Sequence, residues 1–350
     1  MSTTVSFPGF GIGEFSFDRI AFELFGKPIY WYGVIIMLGI VAAFIHAMIR
    51  SKREGFTTDD VLDMGIFTVL FGVLGARLYY VLTTLDTHEY KNFIDVIAVW
   101  EGGLAIYGGI IAGCTALVLT AVYKKINPLK VMDAVAPGVM LAQAIGRWGN
   151  FMNGEAYGYE VAEGHFLYPF RMGLISDYTE GLTMRYYHPT FLYESLWNIV
   201  GFVFICLIYR KKKFNGQMAL TYFAWYGFGR MFIEGLRTDS LYVGPFRISQ
   251  VVGALCFIAG VGLMIAGFIL AGKGKLDKWL TVRWAEAVPA EGEPAEVELA
   301  EGEPATETAE GGDIASAETD GESAAAPVGE GSPLPSADSE NTATDNTDTE

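Results

Sequence analysis

Residues 29–49 read IYWYGVIIMLGIVAAFIHAMI, without one charged side chain, and Arg50, Lys52 and Arg53 follow. A helix crossing a bilayer needs about 20 largely apolar residues. This stretch has that length, opens on aromatic residues and ends on basic ones, so it predicts a membrane span with a preferred direction. The same ruler finds six more spans, at 62–82, 104–123, 131–148, 190–209, 218–236 and 248–271. The one at 131–148 is the weakest, because Asp133, Pro137 and Gln143 interrupt it. The first basic residue is Arg19, and no basic flank with a short apolar core and a small-residue cleavage site precedes the first span. No cleavable signal peptide is therefore expected.

Basic residues mark alternate loops. Arg50, Lys52 and Arg53 follow the first span, Lys124, Lys125 and Lys130 the third, Arg210 to Lys213 the fifth, and Lys273, Lys275, Lys278 and Arg283 the seventh. The positive-inside rule places all four groups in the cytoplasm and the N-terminus outside. An odd number of spans then puts the C-terminus in the cytoplasm.

The net charge of −16 averages two different polymers. Of 40 acidic residues, 19 lie in 285–350, where there is no Lys or Arg; the rest of the chain sets 24 basic residues against 21 acidic ones. That tail lacks Phe, Tyr and Trp and is rich in Ala, Glu, Gly, Pro, Ser and Thr. It buries too little apolar surface to offset its ordering entropy, and reads as disordered. Mean hydropathy is +0.31 even with the tail included, which excludes an ordinary soluble domain. The expected fold is all-α, with a seven-helix transmembrane domain at 1–284 and a solvated acidic cytoplasmic tail at 285–350. Removal of everything after Lys278 is expected to leave activity intact. Cys114, Cys206 and Cys256 all fall in apolar spans without a Cys or His at ligand spacing, so no metal site or disulfide framework is expected. Nucleic acid is not an expected partner.

Ionisable residues inside a bilayer are costly and usually mark function. The densest polar group is Gly146-Arg147-Trp148-Gly149-Asn150-Phe151-Met152-Asn153-Gly154-Glu155-Ala156-Tyr157-Gly158, at the outer end of the fourth span. Its glycines let backbone N–H groups approach a ligand, and Arg147, Asn150, Asn153 and Glu155 supply donors and acceptors at one level. It reads either as a phosphate-holding loop or as an interfacial turn with a snorkelling arginine. Tyr226, Arg230, Glu234 and Arg237 follow at steps of four, four and three, on one helix face. There Glu234 can neutralise one arginine and leave positive charge for an anion, or the group is an ion-pair ladder between helices. Arg77 lies late in the second span, and Glu194 about one turn into the fifth, after His188-Pro189. Tyr30-Trp31-Tyr32-Gly33 reads first as an aromatic belt. Gly102-Gly103-Leu104-Ala105-Ile106-Tyr107-Gly108-Gly109 permits close helix packing or a re-entrant turn. Cations gathered in the outer half suit an anionic lipid head group. His46, near the inner end of its span, is read as structural.

The pattern Gly146-Arg147-x-Gly149-Asn150-Phe151-x-Asn153-x-Glu155-x-x-Gly158 resembles, at every specified position, the signature of the bacterial prolipoprotein diacylglyceryl transferases. Trp31-Tyr32-Gly33, Gly75-Ala76-Arg77, the Gly-Gly block before the third span, Asp133, His188-Pro189 with Tyr193-Glu194, and Arg230-x-x-x-Glu234-x-x-Arg237 agree in order and spacing. The resemblance covers residues 6–272 and not the acidic tail. It implies a seven-span protein of the bacterial cytoplasmic (inner) membrane with a small extracytoplasmic head, mostly from 145–189. It implies transfer of the diacylglyceryl group of phosphatidylglycerol to the lipobox cysteine of a prolipoprotein, with release of glycerol 1-phosphate and no cofactor.

Transposed onto this chain, Arg147 and Arg230, with Arg237 in support, stabilise charge on the leaving phosphate. Asn150, Asn153 and Glu155 hold the glycerol head group, Tyr32 contacts it, Glu234 fixes the arginines, and Arg77 and Gly158 complete the substrate-binding set. One departure concerns the thiol's proton. Many members carry His where this chain has Tyr107, and a phenol is a poor base near neutrality. Tyr107, His188 and Glu155 stay open as the proton acceptor, as does a mechanism without one. The competing class is a transporter or lipid-binding protein, disfavoured because no repeat relates the two halves and the polar groups gather at one face.

Overall fold

The computed structural model describes residues 2–86, 90, 92–176, 179 and 183–283. The acidic tail at 285–350 lies outside the described residues. Two hairpins come first: β1 (Ser2–Phe7) with β2 (Ile12–Asp18), then β3 (Ile20–Leu24) with β4 (Lys27–Tyr30). α1 (Trp31–Glu54), α2 (Thr58–Thr84), the short α3 (Phe93–Ile97), α4 (Ile106–Tyr123) and α5 (Pro128–Asn153) follow. After β5 (Met172–Ile175) and β6 (Arg185–Tyr187) come α6 (Thr190–Ile208), α7 (Gln217–Ile233), the hairpin β7 (Tyr242–Val243) and β8 (Phe246–Arg247), and α8 (Ile248–Gly272).

Among the described residues six helices, α1, α2, α4, α5, α6 and α8, are long and apolar enough to cross a membrane. The stretch expected at 218–236 is shorter as a helix. α7 holds 17 residues, roughly 26 Å at the α-helical rise, and continues as a 3₁₀ turn, Glu234–Leu236. Arg237 therefore lies past the helix face that carries Tyr226 and Arg230.

Small residues set the packing. A side chain on Gly75 of α2 would overlap Ala112 and the Gly108 carbonyl of α4, and one on Gly138 of α5 would sit 2.9 Å from the Ala43 carbonyl of α1. Such close approach suits helices in lipid, where backbone proximity replaces the hydrophobic drive. The paired glycines at 102–109 divide their work. Gly102 and Gly103 adopt left-handed φ of 86° and 65° in the loop, whereas Gly108 packs on α2. Tyr32 meets Gly149, and Gly39 meets Ala142, so α1 and α5 run antiparallel, and the start of α1 lies beside the end of α5. Trp148 Nε1 donates to Ser195 Oγ at 3.2 Å, which brings the start of α6 to the same end. Trp197 and Trp225 each donate an indole N–H to the other's carbonyl at 2.9 Å, with rings stacked 4.6 Å apart. Gly229 of α7 fits against the Trp197 ring. Glu194, one turn before Trp197, and Arg230, next to Gly229, are thereby held level.

At that end α5 stops at Gly154, whose φ of 65° closes a left-handed cap on the Asn150 and Phe151 carbonyls. An antiparallel sheet of order β2-β1-β5-β6 sits there, its core Val5, Met172, Leu174, Tyr187 and Phe191. The chain is thus mostly helical, not all-α, and half of this sheet comes from the N-terminus, to which the sequence pattern assigned no structure.

At the other end, Lys212 is fully buried and reaches Glu54 Oε1 at 2.6 Å and Asp133 Oδ2 at 3.0 Å. Asp133 also accepts the backbone N–H groups of Gly216, Met218 and Ala219 at 2.8–3.1 Å, so it caps α7. The backbone after α8 is clamped nearby. Asn215 donates to the carbonyls of Trp279 (3.0 Å) and Thr281 (2.9 Å), and Asn127 to that of Trp279 (2.6 Å). Lys130 reaches the Arg283 carbonyl at 2.7 Å. A cut after Lys278 would thus remove carbonyl acceptors at 279–283 that a cut after Arg283 keeps.

Candidate active site

The signature block folds as the last two turns of α5 and the turn beyond it. Arg147 and Asn150, three apart, share a face, and Gly149 leaves room for the Tyr32 ring, whose Cδ2 lies 3.0 Å from where a Cβ would stand. Arg147 Nη2 donates to Glu194 Oε1 at 2.6 Å, and its Nη1 to Asn150 Oδ1 at 3.2 Å. Glu194 Oε2 accepts from Arg230 Nη1 at 3.0 Å. Arg230 Nη2 lies 2.6 Å from Glu234 Oε2, a charge contact without hydrogen-bond alignment. Asn150 Nδ2 and Asn153 Nδ2 both donate to Glu155 Oε1, at 3.1 and 3.3 Å. These contacts form one unbroken chain: Glu234, Arg230, Glu194, Arg147, Asn150, Glu155, Asn153. Its carboxylates Glu194 and Glu234 are buried, while Arg147 and Arg230 keep 20 % and 14 % of their side-chain surface exposed. Tyr226 and Tyr32 lie within electrostatic reach of the cluster, Tyr226 near Glu194, Arg147 and Arg230 and Tyr32 near Glu155 and Arg147.

The sequence reading expected surplus positive charge here. The structure corrects it: two arginines face three carboxylates. Arg237 adds nothing free, because its Nε and Nη2 take both oxygens of Asp239 at 2.9 and 2.7 Å. Burial pushes the Asp239 carboxyl up, but the Arg237 hydrogen bonds outweigh this and hold it below its ordinary range.

Other candidates stand apart from the chain. Arg77 is buried and donates to four carbonyls, those of Val96 (2.9 Å), Gly102 (2.7 Å), Gly103 (3.2 Å) and Asp95 (2.5 Å). It shapes the loop before α4 and has little left to offer a phosphate. Tyr107, in the first turn of α4, lies with its hydroxyl 3.4 Å from Ser249 Oγ at the start of α8. His188 is buried with Nδ1 3.3 Å from the Tyr193 hydroxyl. Burial, and then the neighbouring His165, push its pKa down, so it is a neutral imidazole at neutral pH. Gly158 is a crossing point: its N–H bonds the His188 carbonyl at 2.9 Å, and a Cβ would press on His188 and on the Leu236 carbonyl at 2.7 and 2.8 Å.

Asn153 and Tyr32 also line a cavity of about 630 Å³ between the chain and the β3–β4 hairpin, with Asp18, Arg19 and Tyr30 on its far wall. That size suits a small-molecule group. A second, apolar groove of about 280 Å³ runs between α1, α5 and α6, from Ile35, Leu38 and Ile199 to Trp148, whose neighbour is Arg147. Sequence reasoning gave Glu194 no role, although a glutamate within a span is itself a signal. Asp18 and Arg19 carried none, because the hairpin that places them went unread.

The family model for prolipoprotein diacylglyceryl transferase matches residues 19–266. Proteins named phosphatidylglycerol–prolipoprotein diacylglyceryl transferase are similar over most of the chain. One from Streptococcus uberis is 42% identical over 250 residues, 71% of this chain and 94% of its own length. One from Listeria innocua is 40% identical over 259 residues, 73% and 91% of the two chains. One from Clostridium kluyveri is 42% identical over 260 residues, 74% and 98%. With the signature residues joined in one chain of contacts, and a match over most of the length of each relative, the protein belongs to the prolipoprotein diacylglyceryl transferase family.

Proposed function

We propose that the Arg147–Glu194–Arg230 cluster is the transfer site of this enzyme, which moves the diacylglyceryl group of phosphatidylglycerol to a prolipoprotein cysteine. The observation that carries the reading is the placement of Arg147, Asn150 and Asn153 of the signature with Arg230 in one chain of contacts, beside a cavity that Asp18, Arg19 and Asn153 help to line and an apolar groove. The cysteine sulfur attacks the glycerol carbon that bears the phosphate. The carbon–oxygen bond breaks, its electron pair stays on the oxygen, and the phosphodiester leaves as glycerol 1-phosphate with one more negative charge. Fixed cations aimed at that oxygen contribute on the order of 3 kcal/mol each in a poorly hydrated site. Arg147 and Arg230 supply them, and Arg237 adds to the field from farther out. Asn150 and Asn153 hold the glycerol end, Tyr32 closes it from α1, and Glu234 orients Arg230. The thiol proton goes to Glu155, the one of the three candidates that the contacts join to the arginines. Tyr107 orients substrate through hydrogen bonding. The groove against Trp148 receives an acyl chain from the bilayer.

Topologically, α7 with its 3₁₀ turn is the sixth of seven spans, shortened because it packs within the bundle. The N-terminus and the sheet face outward, where the lipobox peptide enters, and the basic loops and the acidic tail face the cytoplasm of a bacterial cell. The domain boundary falls near residue 284. The enzyme uses no metal or cofactor.

The deciding experiment is mass spectrometry of a lipobox cysteine peptide incubated with purified protein and phosphatidylglycerol. A diacylglyceryl mass gain with released glycerol 1-phosphate is expected. Absence of the gain in folded protein that binds the lipid would move the assignment to lipid binding or transport.

A further inference from the structure

Glu194 has no part in the chemistry above, yet it occupies the centre of the site. Its two oxygens each take a different guanidinium, Arg147 at 2.6 Å and Arg230 at 3.0 Å, and its side chain is 2 % exposed. Two anionic oxygens spread across two arginines is the arrangement that a phosphodiester requires. We propose that Glu194 is an internal anion that occupies the phosphate position between the arginines and exchanges with the donor's phosphate in each cycle. The inference rests on the reading that Arg147 and Arg230 receive that phosphate.

The charge balance gives the reason for such a residue. Two buried arginines without a counter-ion are costly to hold. Glu194 and Glu234 touch the arginines directly, while the third carboxylate, Glu155, stands beyond Asn150, so the arginines stay ordered before lipid arrives. The same carboxylate opposes retention of product. Glycerol 1-phosphate carries more negative charge than the phosphodiester it comes from, so fixed arginines alone would bind the product more tightly than the donor. The return of Glu194 between them expels it. Glu194 is in this sense a positioning residue, acting through the two arginines. The groups that face it are Arg147 from α5, Arg230 and Tyr226 from α7, and Arg237 at longer range. Every one is a cation or a hydroxyl. Glu234, on the far side of Arg230, has no direct contact with it among the described residues.

The test uses full-length protein in phosphatidylglycerol vesicles, with glycerol 1-phosphate as the probe. In Glu194→Gln the probe is expected to inhibit about tenfold more tightly, the size of one charge-assisted hydrogen bond released to it. kcat falls because release slows, and KM for phosphatidylglycerol falls with it. A structural ion pair predicts the opposite: looser arginines, weaker inhibition and a raised KM. That outcome, or unchanged inhibition, overturns the proposal. Should Glu194→Gln fail to accumulate in the membrane, Glu194→Asp decides, because the shorter carboxylate reaches one arginine only. Tighter inhibition in it supports the exchange and unchanged or weaker inhibition refutes it. Wild-type protein that transfers lipid and is inhibited by the probe, while neither variant binds tighter, removes this inference alone. Transfer that survives loss of Arg147 and Arg230 removes the site reading beneath it.

Discussion

α5 carries two buried ionic clusters, and they are built differently. Asp133 and Arg147 lie 14 residues apart, roughly 21 Å along the helix. At Asp133 every contact ends on a fixed partner: the buried ammonium of Lys212 and three backbone N–H groups at the start of α7. The three backbone donors cannot turn to another ligand without unwinding the helix end, and the Lys212 ammonium is enclosed between Asp133 and Glu54. At Arg147 the partners are side chains, Glu194 and Asn150, and the guanidinium keeps a fifth of its surface open. Equal charge density thus serves two ends. The saturated cluster joins helices, and the one held by rotatable side chains beside a cavity can exchange partners. An ion pair in a membrane protein is informative about function only after its other contacts are counted.

Four measurements would break or sharpen this contrast. The largest effect is expected at the saturated cluster. Asp133→Ala leaves Lys212 with Glu54 alone and three backbone N–H groups without an acceptor, and should cost about 3–5 kcal/mol of stability. A large fall in Tm in detergent is the readout, with KM for phosphatidylglycerol unchanged in the folded fraction; wild-type Tm would remove the distinction. Next comes Arg147→Ala, which should lower kcat by about 10²–10³ while the protein stays inserted. Retained transfer by mass spectrometry would refute its role.

A smaller effect concerns pH. His188 has a folded pKa below its unfolded value of about 6.5. Below that value the unfolded chain takes up a proton that the folded one refuses. Its contribution to stability is therefore complete above about pH 6.5 and is lost as pH falls toward the folded pKa. His188→Gln should flatten the fall of Tm between neutral and mildly acidic pH. An unaltered slope would place the acid sensitivity elsewhere. The smallest effect is the tail's: truncation after Arg283 should leave both Tm and transfer at wild-type values, whereas truncation after Lys278 should lower Tm because Asn215, Asn127 and Lys130 lose their carbonyl partners.

The comparison also shows which parts were legible beforehand. Arg147, Asn150, Asn153 and Glu155 stood out because a glycine-broken polar run at the end of a span has no packing explanation. Arg77 stood out as an ionisable residue in a span, but its contacts were not legible. Its partners are carbonyls of the loop at 95–103, and backbone acceptors leave no mark on a sequence. Arg237 was read on the face of α7, but the helix ends at Ile233 and Asp239 takes its guanidinium.

By itself the sequence determined that the body is built of membrane-length apolar helices, which segment resists that reading, and which polar residues need an explanation. Those are properties of composition and local period, fixed within 20 residues or so by the bilayer's thickness. Tertiary structure decided the rest. It paired β1 of the N-terminal hairpin with β5, set Glu194 between Arg147 and Arg230 beside the Trp197–Trp225 clamp, and spent Arg77 on a loop. The reason is physical: a charge's partner is chosen by proximity after packing, and packing here depends on glycine contacts between helices far apart in the chain.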